Sequence, residues 1–149
     1  MLQYSLIANY IIVNVYLPCV GSADRMLVCE DMLSSISVHC DNFPQYKFIM
    51  GGDFNVDSSD PIAICVNKFL QDHSLTRCDD IFSSRKCVTY VNNALGHTSF
   101  IDYMVVSNDD DVTDYKVLDL VVNFSDHLPL VVCLKCFVND NQSSPGSIL

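Results

Sequence analysis

The feature that most constrains this chain is a short run, Tyr46 to Met50, that ends abruptly on Gly51-Gly52-Asp53-Phe54-Asn55. Such a run is long enough for a buried strand and too short for a helix. The two glycines let the backbone turn sharply where a side chain would obstruct it, so the strand presents Asp53 at its end. Asp53 and Asn55 are two apart in an extended stretch, which lets both side chains project to one side. Two later segments set similar groups beside apolar runs: Ser99-Phe100-Ile101-Asp102-Tyr103 and Ser125-Asp126-His127-Leu128-Pro129-Leu130. Each piece alone is compatible with an ordinary turn, because Asp, Asn, Ser and His are common there. In this order, each at the edge of a strand-like stretch, they read as a site assembled from loops on a rigid sheet. The residue types suit metal-assisted phosphodiester chemistry: carboxylates for a cation, an amide to hold water or phosphate, and a histidine oriented by an aspartate.

The rest of the pattern supplies the scaffold. Residues 1–18 read as two strands with a turn near Ala8-Asn9, the second being the β-branched run Ile11 to Tyr16, which Pro18 ends. They lack a basic leading segment, and Asn9 and Asn14 interrupt them, so no signal peptide or membrane span is expected. Ser22 is positioned to cap a helix from about Ala23 to Cys40, with Met26, Cys29, Leu33, Ile36 and Cys40 on its apolar face. Asp60-Pro61 begins a second helix, with Ile62, Val66, Phe69 and Leu70 as its stripe. Strands follow near 87–91, 100–107, 115–122 and 128–138. A β-α-β-α-β-β-β-β order points to an α/β fold, a mixed sheet with helices packed on it. Residues 1–138 read as one domain and residues 139–149 as a polar tail.

Half of the residues are hydrophobic, which excludes a disordered polar chain. The formal charge of −10 argues against a broad basic footprint for nucleic acid, although carboxylates gathered for a metal account for part of it. The eight cysteines sit inside apolar periodic segments and read as small buried hydrophobes in a reducing, intracellular setting, nuclear or cytoplasmic. Cys133 and Cys136 are three apart in a strand, so their sulfurs diverge and make no zinc pair. The acidic run Asp109-Asp110-Asp111 reads as a solvated loop, and His39, His73 and His97 lack ligand-spaced partners. Arg85 and Lys86 are too few for a nucleic-acid patch.

Gly-Asp-Phe-Asn at 52–55, Ser-x-Ile-Asp-Tyr at 99–103 and Ser-Asp-His at 125–127 resemble the endonuclease/exonuclease/phosphatase family in content and order. Val13-Asn14-Val15-Tyr16-Leu17-Pro18 is similar to the strand that carries that family's active-site tyrosine. The version here is most similar to the endonuclease domains of LINE-type retrotransposons, over about residues 11–138. The resemblance implies a deoxyribonuclease I-like sandwich of two sheets with outer helices, and Mg2+- or Mn2+-dependent cleavage of DNA without a small-molecule cofactor or a membrane. It assigns Asp53 to water activation, Asn55 to its orientation, the His127–Asp102 pair to the phosphorus, Tyr16 to the phosphate or leaving group, and Asp126 to the metal. It also assigns phosphate contacts to Thr89 and Ser99. Cys19 departs from the pattern, since many relatives carry asparagine there.

The family's first strand carries an asparagine and its second motif a metal-binding glutamate, both upstream of the tyrosine strand. Residues 1–10 hold no acidic side chain, and the only glutamate, Glu30, falls in the first helix. The resemblance therefore implies the C-terminal part of a catalytic domain, weakly active or inactive alone and prone to self-association through an uncovered sheet. It leaves two other functions open: a phosphatase of the same fold acting on inositol phosphates or phospholipids, and a non-catalytic remnant or binding module.

Overall fold

The computed structural model describes residues 2–7, 9–82 and 88–135, with side chains from residue 9 onward. Its largest element is a five-stranded sheet in the order Leu2–Ile7, Tyr10–Tyr16, Lys47–Asp53, Asp102–Val106, Thr76–Arg77. β1 (Leu2–Ile7) and β2 (Tyr10–Tyr16) form an antiparallel hairpin. Asn9 at the turn takes φ +70°, a left-handed conformation that asparagine tolerates. β3 (Lys47–Asp53) runs parallel to β2 after the crossover helix α1 (Arg25–Asn42). β7 (Asp102–Val106) is antiparallel to β3, and the two-residue β4 (Thr76–Arg77) edges it. α2 (Ala63–Asp72) joins β3 to β4, and the short α3 (Cys78–Ile81) follows directly. β5 (Tyr90–Asn92) and β6 (His97–Ser99) make a separate hairpin, as do β8 (Val112–Val117) and β9 (Leu130–Leu134).

Strand alternation sorts the core into two layers. Ile11, Val13 and Val15 of β2, Phe48 and Met50 of β3, and Tyr103 and Val105 of β7 face α1 and α2, meeting Cys29, Leu33, Ile36, Val66, Phe69 and Leu70. The opposite parity, Tyr10, Ile12, Ile49, Met104 and Val106, meets Val112, Tyr115, Leu130, Val132 and Leu134 of the β8–β9 sheet. The result is helices on one side of the main sheet and a second sheet on the other, an α/β sandwich as the residue pattern and the resemblance imply. A bulge between Val112 and Asp114 lets Val112 and Tyr115, three apart, both face inward.

Several sequence expectations change in detail. Helix α1 starts at Arg25, and Asp24, with φ +51°, precedes it without a side-chain cap; the Ser22 hydroxyl lies 3.4 Å from the Cys19 sulfur instead. The strand expected over 115–122 is β8, which stops at Val117, and Val121 and Val122 lie exposed because the sheet offers them no partner strand there. β4, α3 and β6 are too short to show a periodicity. Asp111 is not in a solvated loop: it is 4% exposed, accepts a hydrogen bond from the Tyr10 hydroxyl and pairs with the Lys47 ammonium. These partners tie β2 and β3 to the second sheet and hold the Asp111 carboxyl below its ordinary range, Lys47 first and Tyr10 next. Among the described residues six cysteines are free thiols, and burial pushes the Cys78 thiol up to about 12. Cys136, the Arg85-Lys86 pair and the 139–149 tail lie outside the described residues. No described helix is long and apolar enough to cross a membrane.

Candidate active site

Three strands place their chemistry in one row. Tyr16 is opposite Asp53 across the β2–β3 pair, and Asp53 is opposite Asp102 across the β3–β7 pair. Residues opposite each other share a face, so all three project from the face that looks toward the second sheet, at one end of it. Gly52 makes the approach possible. Its φ is +139°, and a Cβ there would lie 2.1 Å from the Val15 carbonyl oxygen, so no side chain fits.

Asp53 is held from behind by Asn55. The Asn55 backbone N–H donates to Asp53 Oδ1 at 2.8 Å, and its side-chain amide donates to Asp53 Oδ2 at 2.8 Å and to the Leu17 carbonyl at 2.9 Å. Both amide hydrogens are thereby spent, so Asn55 positions Asp53; the role expected for it, holding water or phosphate with that amide, does not match this arrangement. Phe54 between them is fully buried, stacks on Tyr103 at 4.3 Å and donates its N–H to the Ile101 carbonyl at 2.9 Å. Burial pushes the Asp53 carboxyl up, the Asn55 backbone hydrogen bond opposes it, and the nearby Asp102 charge raises it further.

His127 enters from the loop between β8 and β9. Its Nδ1 lies 3.0 Å from both carboxylate oxygens of Asp102, which puts the proton on Nδ1 and turns Nε2 away from the aspartate. Asp102 is 8% exposed. A buried lone carboxylate would be costly, and the imidazole is its partner. Burial disfavours the imidazolium, but the Asp102 hydrogen bond and the charges of Asp102, Asp53 and Asp126 outweigh it and raise the His127 pKa above its ordinary value. Asp53, Asp102 and His127 bring one ligating atom each within 4.8 Å of one another.

The segment 89–91 fixes the histidine loop by strand-like bonds. Leu128 N–H donates to the Thr89 carbonyl at 2.7 Å and Val91 N–H to the Asp126 carbonyl at 2.7 Å, and the Tyr90 and His127 rings sit 5.0 Å apart. Thr89 is therefore not the phosphate contact that the resemblance implies. It is fully buried, and its hydroxyl accepts the N–H groups of Ile101 and Asp102 at 3.1 Å each, so it reaches no substrate. Ser99 stands half-buried at the base of the β5–β6 hairpin, paired with Tyr90. Tyr16 is 54% exposed at the rim. Asp126 is exposed and stands outside the Asp53–Asp102–His127 group, lining the neighbouring open cleft with Asn92, Asn123 and Phe124. Glu30 is exposed on α1.

The chain has the endonuclease/exonuclease/phosphatase fold. Solved structures with this fold align at high coverage of the chain. They include the endonuclease domain of TRAS1, a telomere-specific non-LTR retrotransposon, with a TM-score of 0.67 and 19% identity over 85% of this chain and 56% of that one. A family protein from Bacteroides thetaiotaomicron aligns with a TM-score of 0.59 and 20% identity over 83% and 48%, and one from Leptotrichia buccalis C-1013-b with 0.60 and 17% over 85% and 49%. The chain thus spans about half the length of the structures it matches. No protein-family model matches the sequence, and no curated protein matches it.

A divalent cation fits this endonuclease/exonuclease/phosphatase-type rim only in part. His127 Nδ1 is taken up by Asp102, while each carboxylate oxygen of Asp53 and Asp102 that accepts one of these hydrogen bonds keeps a second lone pair. Magnesium is satisfied by one or two carboxylates plus water and phosphate oxygens, and the exposed Asp126 carboxylate is the group of that class beside the histidine. Sequence reasoning missed Arg25, whose guanidinium ties the loops behind the site together, because one arginine at a helix start carries no motif.

Proposed function

We propose that the chain carries the catalytic loops of a metal-dependent phosphodiesterase acting on DNA, of the retrotransposon endonuclease kind. The observation that carries this reading is the meeting of Asp53, Asp102 and His127 on one sheet rim, with Asn55 and Tyr16 beside them. Asp53, with its raised pKa, accepts a proton from the attacking water as the new O–P bond forms. The bond to the leaving oxygen breaks, and that oxygen takes a proton from solvent. His127, its pKa raised by the Asp102 hydrogen bond against the opposing effect of burial, faces the charge that develops on the phosphoryl oxygens, and Tyr16 supports the phosphate or the leaving group. Asp126 would hold Mg2+ or Mn2+, which supplies charge neutralisation at the phosphate.

A second reading, a binding module without catalysis, has two observations in its favour. Asp126 stands outside the acid–histidine group. Each lysine and arginine among the described residues also engages a carboxylate or a carbonyl: Arg25 with Asp60, Lys47 with Asp111, Lys68 with Asp72, Arg77 with Asp79, Lys116 with Asp114 and Lys135 with the Asp110 carbonyl. The test is cleavage of a fluorogenic duplex and of supercoiled plasmid with Mg2+ or Mn2+, for the native chain, His127→Ala and Asp53→Ala. Slow metal-dependent nicking that both substitutions abolish supports the enzyme. Nicking indifferent to both refutes the site, and DNA binding without nicking favours the module. Cleavage of inositol phosphates or phospholipids in place of DNA would move the substrate to the phosphatase branch.

A further inference from the structure

Arg25 begins α1, where a cation opposes the helix dipole and stabilises nothing in its own helix. Its side chain is nonetheless only 13% exposed. The guanidinium reaches three separate segments. Nε donates to the Pro18 carbonyl at 2.9 Å, Nη2 to the Asn55 carbonyl at 2.6 Å, and Nη1 to the Asp60 carboxylate at 2.8 Å. Asp60 in turn accepts the Ile62 N–H at 2.9 Å, ahead of α2.

We propose that Arg25 is a positioning residue of the active site, a planar clamp that fixes the loop bearing Asp53 and Asn55 against the chain that leaves Tyr16. Asn55 has φ +52°, a conformation that persists when its surroundings over-determine it. Its carbonyl points at Arg25, while its N–H and amide point at Asp53. The same arginine holds Pro18, two residues beyond Tyr16, so the two ends of the Tyr16–Asp53 row share one anchor. A fork of fixed N–H directions meets three acceptors at once; the compact ammonium of lysine on a flexible stem does not. Displacing Asp53 by about 1 Å is enough to cost on the order of 100-fold in rate.

The inference rests on the phosphodiesterase reading, and its test has one arm that does not. In the kinetic arm, Arg25→Ala and Arg25→Lys lower kcat by about 10- to 100-fold with KM little changed. Millimolar guanidinium restores part of the rate to Arg25→Ala and none to His127→Ala. In the second arm, amide hydrogen exchange is followed by NMR without metal or substrate. The Asn55 N–H exchanges about tenfold faster or more in Arg25→Ala, while the Met50 N–H in β3 keeps its protection. Equal acceleration at Asn55 and Met50 would mean that Arg25 only stabilises the fold, and unchanged exchange at Asn55 would mean that it does not hold the loop; either overturns the proposal. If the native chain hydrolyses no phosphodiester, the kinetic arm has no rate to read and the exchange comparison alone decides the clamp.

Discussion

Thr89→Val separates a scaffold from a substrate contact. The substitution keeps the volume and removes one oxygen, which accepts the N–H groups of Ile101 and Asp102 at 3.1 Å each. The Asp102 amide belongs to a residue only 8% exposed, and water does not replace the lost acceptor there. Leaving a buried donor unpaired costs about 1–3 kcal/mol, and the half-buried Ile101 amide costs less, so the loss is about 2–4 kcal/mol. Thr89→Ser keeps the acceptor and removes a buried methyl, for about 1 kcal/mol. Urea unfolding followed by circular dichroism or tyrosine fluorescence reads both, since the chain has no tryptophan. Because Thr89 holds the start of β7, His127 titration by NMR should also fall toward 6.5 in Thr89→Val as its contact with Asp102 loosens. Equal stability of the two variants, with loss of DNA affinity only in Thr89→Val, would refute the scaffold assignment.

The rate of phosphodiester cleavage should follow a bell in pH, because Asp53 must be ionised and His127 cationic: the acid limb lies above 3.8 and the alkaline limb above 6.5, the directions in which the two groups are shifted. In stability the raised His127 pKa contributes below 6.5 and is lost as pH rises through the folded value, a loss that urea midpoints across neutral pH detect and that His127→Ala removes. Asp111 has the opposite sign. Its depressed pKa stabilises above 3.8 and is lost as pH falls through the folded value, so Asp111→Asn costs about 1–3 kcal/mol at pH 7 and nothing once acid has protonated the native carboxyl. Alkylation at pH 8 should label the exposed Cys19 and Cys133 quickly and Cys78, with its thiol near 12, only on unfolding; fast native labelling of Cys78 would place it outside the core. Exposed Leu120, Val121, Val122 and Phe124 predict concentration-dependent association by sedimentation and hydrophobic-dye binding, and a dye-silent monomer would refute that.

The residue pattern reached the α/β class, β1 to β3 and both long helices, and together with the family resemblance it pointed to the grouping of Asp53, Asn55, Asp102 and His127. Apolar periodicity and the glycine turn are local signals, and a few residues suffice to state them. The strand register, which decides the face of every side chain, depends on partners far along the chain. Tyr16, Asp53 and Asp102 share a row only because β3 runs parallel to β2 and antiparallel to β7 in this register. The same dependence explains what the pattern misjudged. Asp111 looks like a solvent-facing acid until Lys47 and Tyr10 arrive from another sheet. Thr89 looks like a contact residue until the amides of Ile101 and Asp102, at the start of β7, close on its hydroxyl. Arg25 has no motif at all, and its meaning lies in three acceptors from 7, 30 and 35 residues away. Local sequence sets which residues can form each element. Which polar groups become buried, and what then satisfies them, is fixed only when distant segments meet.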